Sequence, residues 1–379
     1  MRIPSNVKWL SFASFLADVS SEMTFPLLPL FMANVLGMTT LQIGLVEGIG
    51  LATVALAKLA GGYLSDRVGV RKPFVVVGYA IPTVSKILLA VSTQWWHMLL
   101  YRFLDRSGKG IRDPPRDALI AASGGKSVRG MFFGFHRAID TLGAVLGVLL
   151  AMLVLWFFPG NYRAVFWLSM IPVVFASLSV ARFVREKQFR VSKSRVELGV
   201  LVKQYWVLLL VGLFFGLASV SYSFMLLRSQ SLGVAVVFIP LLYLVYNLCY
   251  AFGSYPAGVV SDALGRTPVL CIGFALFAVV ALGFAFGLSP WLLMVVYGFS
   301  IALTDGVMSA FISDVAVPVR RASLIGLYHM VVGLAVLPAK VVFGFVSEVV
   351  SVSAAFWLVS LFAFAAASVL LFVPRQKHL

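Results

Sequence analysis

Gly62-Tyr63-Leu64-Ser65-Asp66-Arg67-Val68-Gly69-Val70-Arg71-Lys72 lies between two long apolar runs, and a weaker copy, Gly258-Val259-Val260-Ser261-Asp262-Ala263-Leu264-Gly265-Arg266, lies between two others. The copies are 196 residues apart (258 against 62), and the same shift lays Trp95 on Trp291, Met98 on Met294, Tyr101 on Tyr297, Phe103 on Phe299 and Gly110 on Gly306. Self-similarity at one fixed offset marks an internal duplication, so the chain reads as two equivalent halves. Each copy has the chemistry of a short connection at a membrane surface. An Asp at a helix end can meet the positive N-terminus of a neighbour, and a Gly such as Gly69 can make the tight turn.

Outward from the first copy, runs of the roughly 20 apolar residues that a transmembrane helix needs occur twelve times: 8–33, 41–65, 73–92, 95–120, 130–157, 161–184, 205–228, 234–259, 268–288, 290–314, 322–347 and 351–374. Composition agrees, since 61% of the 379 residues are hydrophobic and only 12% are charged, against about a quarter charged in a soluble domain. The longest polar break, 185–204, is basic and divides six spans from six. It reads as a cytoplasmic linker, partly an amphipathic helix on the membrane surface. The expected fold is an all-α polytopic membrane protein with 12 transmembrane helices in two pseudo-symmetric six-helix bundles, 1–184 and 205–379. The first run follows Arg2 and Lys8 as a signal peptide would, but Asp18 and Glu22 interrupt it, so it is expected to persist as a span. Cys249 and Cys271 sit inside apolar runs and are too few for a disulfide framework, a zinc site or an iron–sulfur site.

The net charge of +16, from 30 Lys and Arg against 14 Asp and Glu, would in a soluble protein point to nucleic acid. Its distribution points elsewhere. With the N-terminus inside, nineteen of the 30 basic residues fall in loops and tails on that side, and only Arg163 and Arg228 fall near the opposite face. This bias predicts a multi-pass protein of the cell membrane with both termini cytoplasmic, whose macromolecular surroundings are the bilayer and not nucleic acid.

On these residues the sequence resembles the major facilitator superfamily of secondary transporters. The Gly62–Lys72 stretch closely resembles that superfamily's signature between helices 2 and 3, and its copy falls between helices 8 and 9. The resemblance implies that Gly62 permits close packing and that Asp66 and Arg67 make inter-helix charge contacts that close a cytoplasmic gate in one state. Gly69 and, in the copy, Asp262 and Arg266 belong to the same gate. Span 4 departs from the pattern of many drug-exporting members, which resemble R-F-x-Q-G-x-G here. This chain reads Arg102-Phe103-Leu104-Asp105-Arg106-Ser107-Gly108, with charges in place of the Gln and the first Gly. Span 5 has Gly143 and Gly147 but lacks the Pro of the exporters' Gly-Pro signature. Both departures count against drug antiport.

Span 4 also carries Lys109, Arg112, Asp113, Arg116 and Asp117. At 100° per residue its eight charges share a stripe about 140° wide, which must face protein or a water-filled cavity. The Pro114-Pro115 pair is expected to bend or end the helix. Asp18 and Glu22 in span 1 are spaced i,i+4, and span 5 supplies Arg137 and Asp140. Counting all spans, nine bases (Lys58, Lys86, Arg102, Arg106, Lys109, Arg112, Arg116, Arg137, Lys340) face eight acids (Asp18, Glu22, Glu47, Asp105, Asp113, Asp117, Asp140, Asp305). Near balance favours ion pairs over a uniformly positive funnel. Satisfied pairs that fix helix packing account for Asp113, Arg116 and Asp117. The deeper charges are expected to serve transport, because intramembrane charge is expensive and apolar residues pack as well. A carboxylate that exchanges an Arg partner for a proton can couple proton flow to a conformational change.

The second half differs chemically. Span 8 brings Tyr243, Tyr246, Asn247, Tyr250 and Ser254 to one side, and span 7 adds Ser219, Tyr222 and Ser223. Aromatic faces with a few hydroxyl and amide groups suit an organic solute, although they also suit simple packing. Asp305 falls where the first half has Lys109, and His329 and Lys340 share a face of span 11; all three are candidates for coupling or for contact with the solute, His329 and Lys340 as part of its cavity.

The expectation is a monomeric secondary transporter, not an enzyme, moving a small organic solute by alternating access with proton-coupled export, and needing no cofactor or metal. The alternative is uptake or exchange of an anionic metabolite held by Arg102, Arg106, Lys109 and Arg137. Metal-ion export through Asp18, Glu22 and Asp140 is weaker, since His and Cys ligands are sparse. A transport-dead receptor is the reading from another class.

Overall fold

In a bilayer every backbone N–H and C=O must be satisfied within the protein, which leaves helices as the solution for long apolar runs. A computed structural model describes residues 3–123, 129–186, 198–219, 222–315 and 321–373, and shows helices throughout. They are α1 (Ser5–Thr24), α2 (Leu28–Asn34), α3 (Thr40–Val68), α4 (Lys72–Val91), α5 (Trp95–Ala121), α6 (Arg129–Phe157) and α7 (Tyr162–Phe183), then α8 (Leu198–Ala218), α9 (Tyr222–Ser231), α10 (Ile239–Leu264), α11 (Arg266–Phe286), α12 (Pro290–Val315), α13 (Arg321–Val349) and α14 (Val352–Leu370).

These are the twelve spans, with spans 1 and 7 each split into two helices. Ten helical stretches are long and apolar enough to cross a membrane by length and composition. Absent from those ten are span 1, which is charged and broken, and span 4, which carries eight charges. Span 1 breaks at Phe25–Leu27, where Pro26 lacks the N–H that would continue the helix and Pro29 opens α2.

The proline pair in span 4, expected to bend or end the helix, does not end it: α5 continues through Pro114 and Pro115 to Ala121, in line with the span expected over 95–120. All eight of its charges therefore ride on one element. The linker expected over 185–204 falls largely on 187–197, outside the described residues; from Leu198 it is helical, and the backbone kinks at Tyr205 (φ −119°, ψ 25°), where span 7 was expected to begin.

Exposure agrees at several positions that the 196-residue shift pairs. Met98 and Met294 are both fully buried, Trp95 and Trp291 are 38% and 37% exposed, and Phe103 and Phe299 are 49% and 44% exposed. These three pairs agree with the repeat, whereas Gly110 is buried and Gly306 exposed.

Two compact units partition the chain: Met1–Met38, Ile49–Lys193 and Val236–Leu241 form the first, and Thr39–Gly48, Ser194–Ala235 and Leu242–Leu379 the second. In the first, α1 packs on α6 and α7, and α4 on α5, around Leu10, Val75, Tyr79, Ile120 and Val180. A Cβ at Gly143 would lie 3.0 Å from the Phe15 Cα, and one at Gly147 3.0 Å from that of Val19. Glycines one turn apart thus let α6 reach the α1 backbone. The second unit packs α11 on α12 and α14, around Val211, Leu270, Phe274, Ile312 and Leu324. Large apolar side chains cover the outside, among them Trp156 (69% exposed), Phe252 (76%) and Leu361 (63%), a surface suited to lipid and not to water.

Candidate functional site

The charged stripe of α5 faces inward. Arg102, Asp105, Arg106, Arg112 and Asp113 are all buried, between 3% and 9% exposed. Asp105 pairs with Arg106 (Oδ2 to Nε, 3.4 Å). The guanidinium groups of Arg106 and Arg102 lie 4.4 and 5.4 Å from the centre of the Phe25 ring. Phe25 is the residue at the break in span 1, so the discontinuity presents an aromatic face to two cations.

Lys86 of α4, only 1% exposed, donates to the Ser20 carbonyl (2.9 Å) and to the Thr24 hydroxyl (3.2 Å). It therefore places a cation at the negative C-terminal end of α1. A small cleft is lined by Ala17, Ser21, Phe25, Pro82, Lys86, Asp105, Lys109, Arg112 and Val173. Its polar groups come from α1, α4 and α5.

Asp18 and Glu22 are half-buried on α1, and Asp18 lies within electrostatic range of Asp140, Lys109 and Arg112. Arg137 is exposed on α6, and Asp140 is half-buried there.

Nearer the end of α5 the charges form a closed set. Asp113 accepts from Arg112 (3.4 Å) and Arg116 (3.3 Å) and meets Lys58 (3.6 Å). Arg116 also meets Asp117 (2.9 Å) and donates to Ser14 Oγ (3.1 Å), while Arg112 lies 4.3 Å from the Tyr79 ring centre. Every member is engaged by another protein group.

At the α3–α4 connection Gly69 turns with φ of +78°, and Gly265 in the copy with +93°. The close approach expected of Gly62 occurs one residue earlier. A Cβ on Gly62 would make ordinary contact with Pro114 at 3.5 Å, whereas one on Gly61 would lie 2.7 Å from the Ile111 carbonyl oxygen. Arg67 is exposed, and the side chain of Asp66 lies outside the described residues. In the copy, Arg266 pairs with Asp262 and with Asp314 of α12 (3.2 Å).

In the second unit a run of rings forms. Tyr222 and Tyr243 are 5.1 Å apart between centroids, Tyr243 and Tyr246 are 5.9 Å, and Tyr246 stacks on Tyr250 at 6.5 Å and on Tyr297 at 4.7 Å. The Tyr250 hydroxyl donates to Asp305 Oδ2 at 2.6 Å. Asn247 and Ser254 donate to the carbonyls of Tyr243 and Tyr250 on their own helix. His329 is exposed on α13 with Tyr328 edge-on at 5.6 Å, and Lys340 is buried opposite Glu47 (3.7 Å, both 3% exposed).

Sequence reasoning missed Lys86 and Phe25 in the first unit, and Tyr297 and Glu47 in the second. Tyr297 carried a signal, since the 196-residue shift lays it on Tyr101; Lys86 was only one of nine intramembrane bases.

Two compact units of long apolar helices, with a charged stripe buried in one and a row of tyrosines in the other, define a polytopic membrane protein of the secondary-transporter class. The Major Facilitator Superfamily profile matches residues 10–246 and 207–379, and the chain belongs to that family. It is 37% identical over 359 residues to an uncharacterized MFS-type transporter of Methanocaldococcus jannaschii, covering 92% of this chain and 89% of that one. It is 28% identical over 187 residues to the multidrug resistance protein MdtH of Photorhabdus laumondii, covering 49% and 45%. The fold is similar to that of the nucleoside transporter NupG (TM-score 0.81, 16% identity, 97% and 99% covered). It is also similar to that of a D-xylose–proton symporter (TM-score 0.78, 15% identity, 98% of each chain).

Proposed function

We propose that the chain is a monomeric, proton-coupled exporter of a small organic solute that works by alternating access in the cell membrane, with both termini cytoplasmic. Its halves, 1–184 and 205–379, are joined by the basic segment 185–204. The observation that carries this reading is Asp105, buried against Arg106 beside the broken end of α1 and in one cleft with Lys86 and Lys109. A carboxylate held by a cation at a helix discontinuity can trade that partner for a proton, and broken helices at mid-membrane are where secondary transporters build coupling and binding sites. Asp18, Glu22, Arg102, Arg137 and Asp140 belong to the same coupling group in this reading, and Asp305 to its counterpart in the second unit. Tyr222, Tyr243, Tyr246, Asn247 and Tyr250 contact the solute, and Gly62, Asp66, Arg67, Gly69, Asp262 and Arg266 form the cytoplasmic gate. The partial similarity to MdtH supports export.

The test is flux in proteoliposomes. A thermal-shift screen at two pH values identifies a stabilising solute, and its movement is then driven by a pH gradient. Asp18→Asn, Glu22→Gln and Asp105→Asn should each reduce pH-driven flux. Unchanged flux in all three would sink the coupling assignment.

A second reading, exchange of an anionic metabolite, is favoured by the cleft itself, where Lys86, Lys109 and Arg112 outnumber the single carboxylate of Asp105. Competition by carboxylates and phosphates, with loss of transport in Arg102→Gln, would select it over the first.

A further inference from the structure

The two repeats put opposite charges at equivalent positions: Lys109 in span 4 of the first, Asp305 in span 10 of the second. Asp305 is exposed midway along α12, with its Oδ2 accepting the Tyr250 hydroxyl. Among the described residues, the remaining formal charges of the second unit are spent elsewhere. Glu47 and Lys340 face each other, both buried. Arg228, at the end of α9, donates to the Phe284 carbonyl. Arg266 is held by Asp262 and Asp314 at the ends of α10 and α12. The others lie near or beyond helix ends. Asp305 is left as the accessible charge in the middle of a span.

Beside that carboxylate runs the ring sequence Tyr222, Tyr243, Tyr246, Tyr250, with Tyr297 stacked on Tyr246. Phenol faces carry negative potential and attract cations whose charge is spread over an organic body. A carboxylate at the end of the row adds a full counter-charge. A small metal ion would need several oxygen ligands, which rings do not supply, and an anion would be repelled by Asp305.

We infer that the tyrosine wall and Asp305 form a binding site for an organic cation, with the cationic centre against the faces of Tyr246 and Tyr250 and Asp305 as its counter-ion. The site names the substrate class within the reading of the chain as a solute transporter, and rests on that reading. Tyr250 contributes both its ring face and the hydroxyl that holds the carboxylate.

The probe is tetraphenylphosphonium, whose charge does not titrate, with neutral triphenylphosphine oxide as its comparison. Binding to the purified full-length protein is measured by equilibrium dialysis at constant pH. The cation should bind saturably and at least ten-fold more tightly than the neutral compound. Asp305→Asn should cut its affinity about ten-fold and narrow the gap between the two probes. Tyr246→Ala should weaken binding several-fold and Tyr246→Phe less, since Phe keeps the ring face. Melting curves of each variant separate lost binding from lost fold. Equal binding of charged and neutral probes, or unchanged affinity in a folded Asp305→Asn, would overturn the inference. The transport reading fails separately: a cation that binds with this dependence on Asp305 but is not moved by any pH gradient would sink coupled transport and leave the site standing.

Discussion

Lys340 and Glu47 provide the sharpest test of how buried charge is managed in this fold. Both belong to the second compact unit, as do the groups around them. The first turns of α3 run against α13 because glycines open the way: a Cβ on Gly48 would lie 3.2 Å from Leu337, and one on Gly344 2.7 Å from the Leu41 Cα. Thr40 Oγ1 donates to the Gly344 carbonyl (3.3 Å) and the Leu41 N–H to Glu348 (3.4 Å). Inside this seam the ammonium and carboxylate stand 3.7 Å apart, each 3% exposed. At that distance and an effective dielectric of about 20, two unit charges attract by about 4.5 kcal/mol. Removing one member of a buried ion pair takes this attraction from the other, at about 3–5 kcal/mol. Lys340→Met and Glu47→Gln should each lower the melting temperature in detergent by several degrees, read from intrinsic tryptophan fluorescence. The double variant should recover most of the loss, because no charge remains to be compensated. If the losses of the two single variants simply add in the double to within about 0.5 kcal/mol, the charges are not coupled and the reasoning fails.

Other outcomes follow from the same geometry. Gly147→Val should cost at least about 1–3 kcal/mol by forcing α6 off the α1 backbone at Val19, seen as a lower melting temperature; a neutral result would mean that the helices separate freely. Lys86→Met removes two buried charge-assisted bonds and should cost about 1.5–3 kcal/mol, with a higher melting temperature showing that desolvating the ammonium outweighs its bonds. Arg116→Gln should destabilise the set around Asp113 more than Arg67→Gln affects its exposed site, as compared by thermal unfolding. Reporter fusions at both chain ends should be active only as cytoplasmic domains, and an exported reporter at either end would overturn the orientation.

Much of the fold was legible in the sequence because hydrocarbon permits few solutions. The lengths of the apolar runs gave the spans, and most boundaries fall within a few residues of the helices. The break in span 1 was not read, although Pro26 and Pro29 mark it, because a run is judged by its hydropathy and not by its missing donors. At Pro114-Pro115, where a bend or an end was expected, the helix does not end: a proline pair costs backbone bonds, but α5 stays helical to Ala121.

For the site, periodicity put the α5 charges on one stripe but could not say which pairs close. Asp113 gathers Lys58, Arg112 and Arg116, whereas Asp105 takes Arg106, a choice made by which helices lie alongside. By itself the sequence determined the spans, the duplication and the inward side of the charged stripe, since these depend on composition and on the local period of one helix. Only tertiary structure decided that Phe25 lies under two arginines, that Lys86 caps α1, and that Lys340 is matched by Glu47 some 300 positions away (340 against 47). Pairing energies act over a few ångströms in space, and separation along the chain carries no information about them.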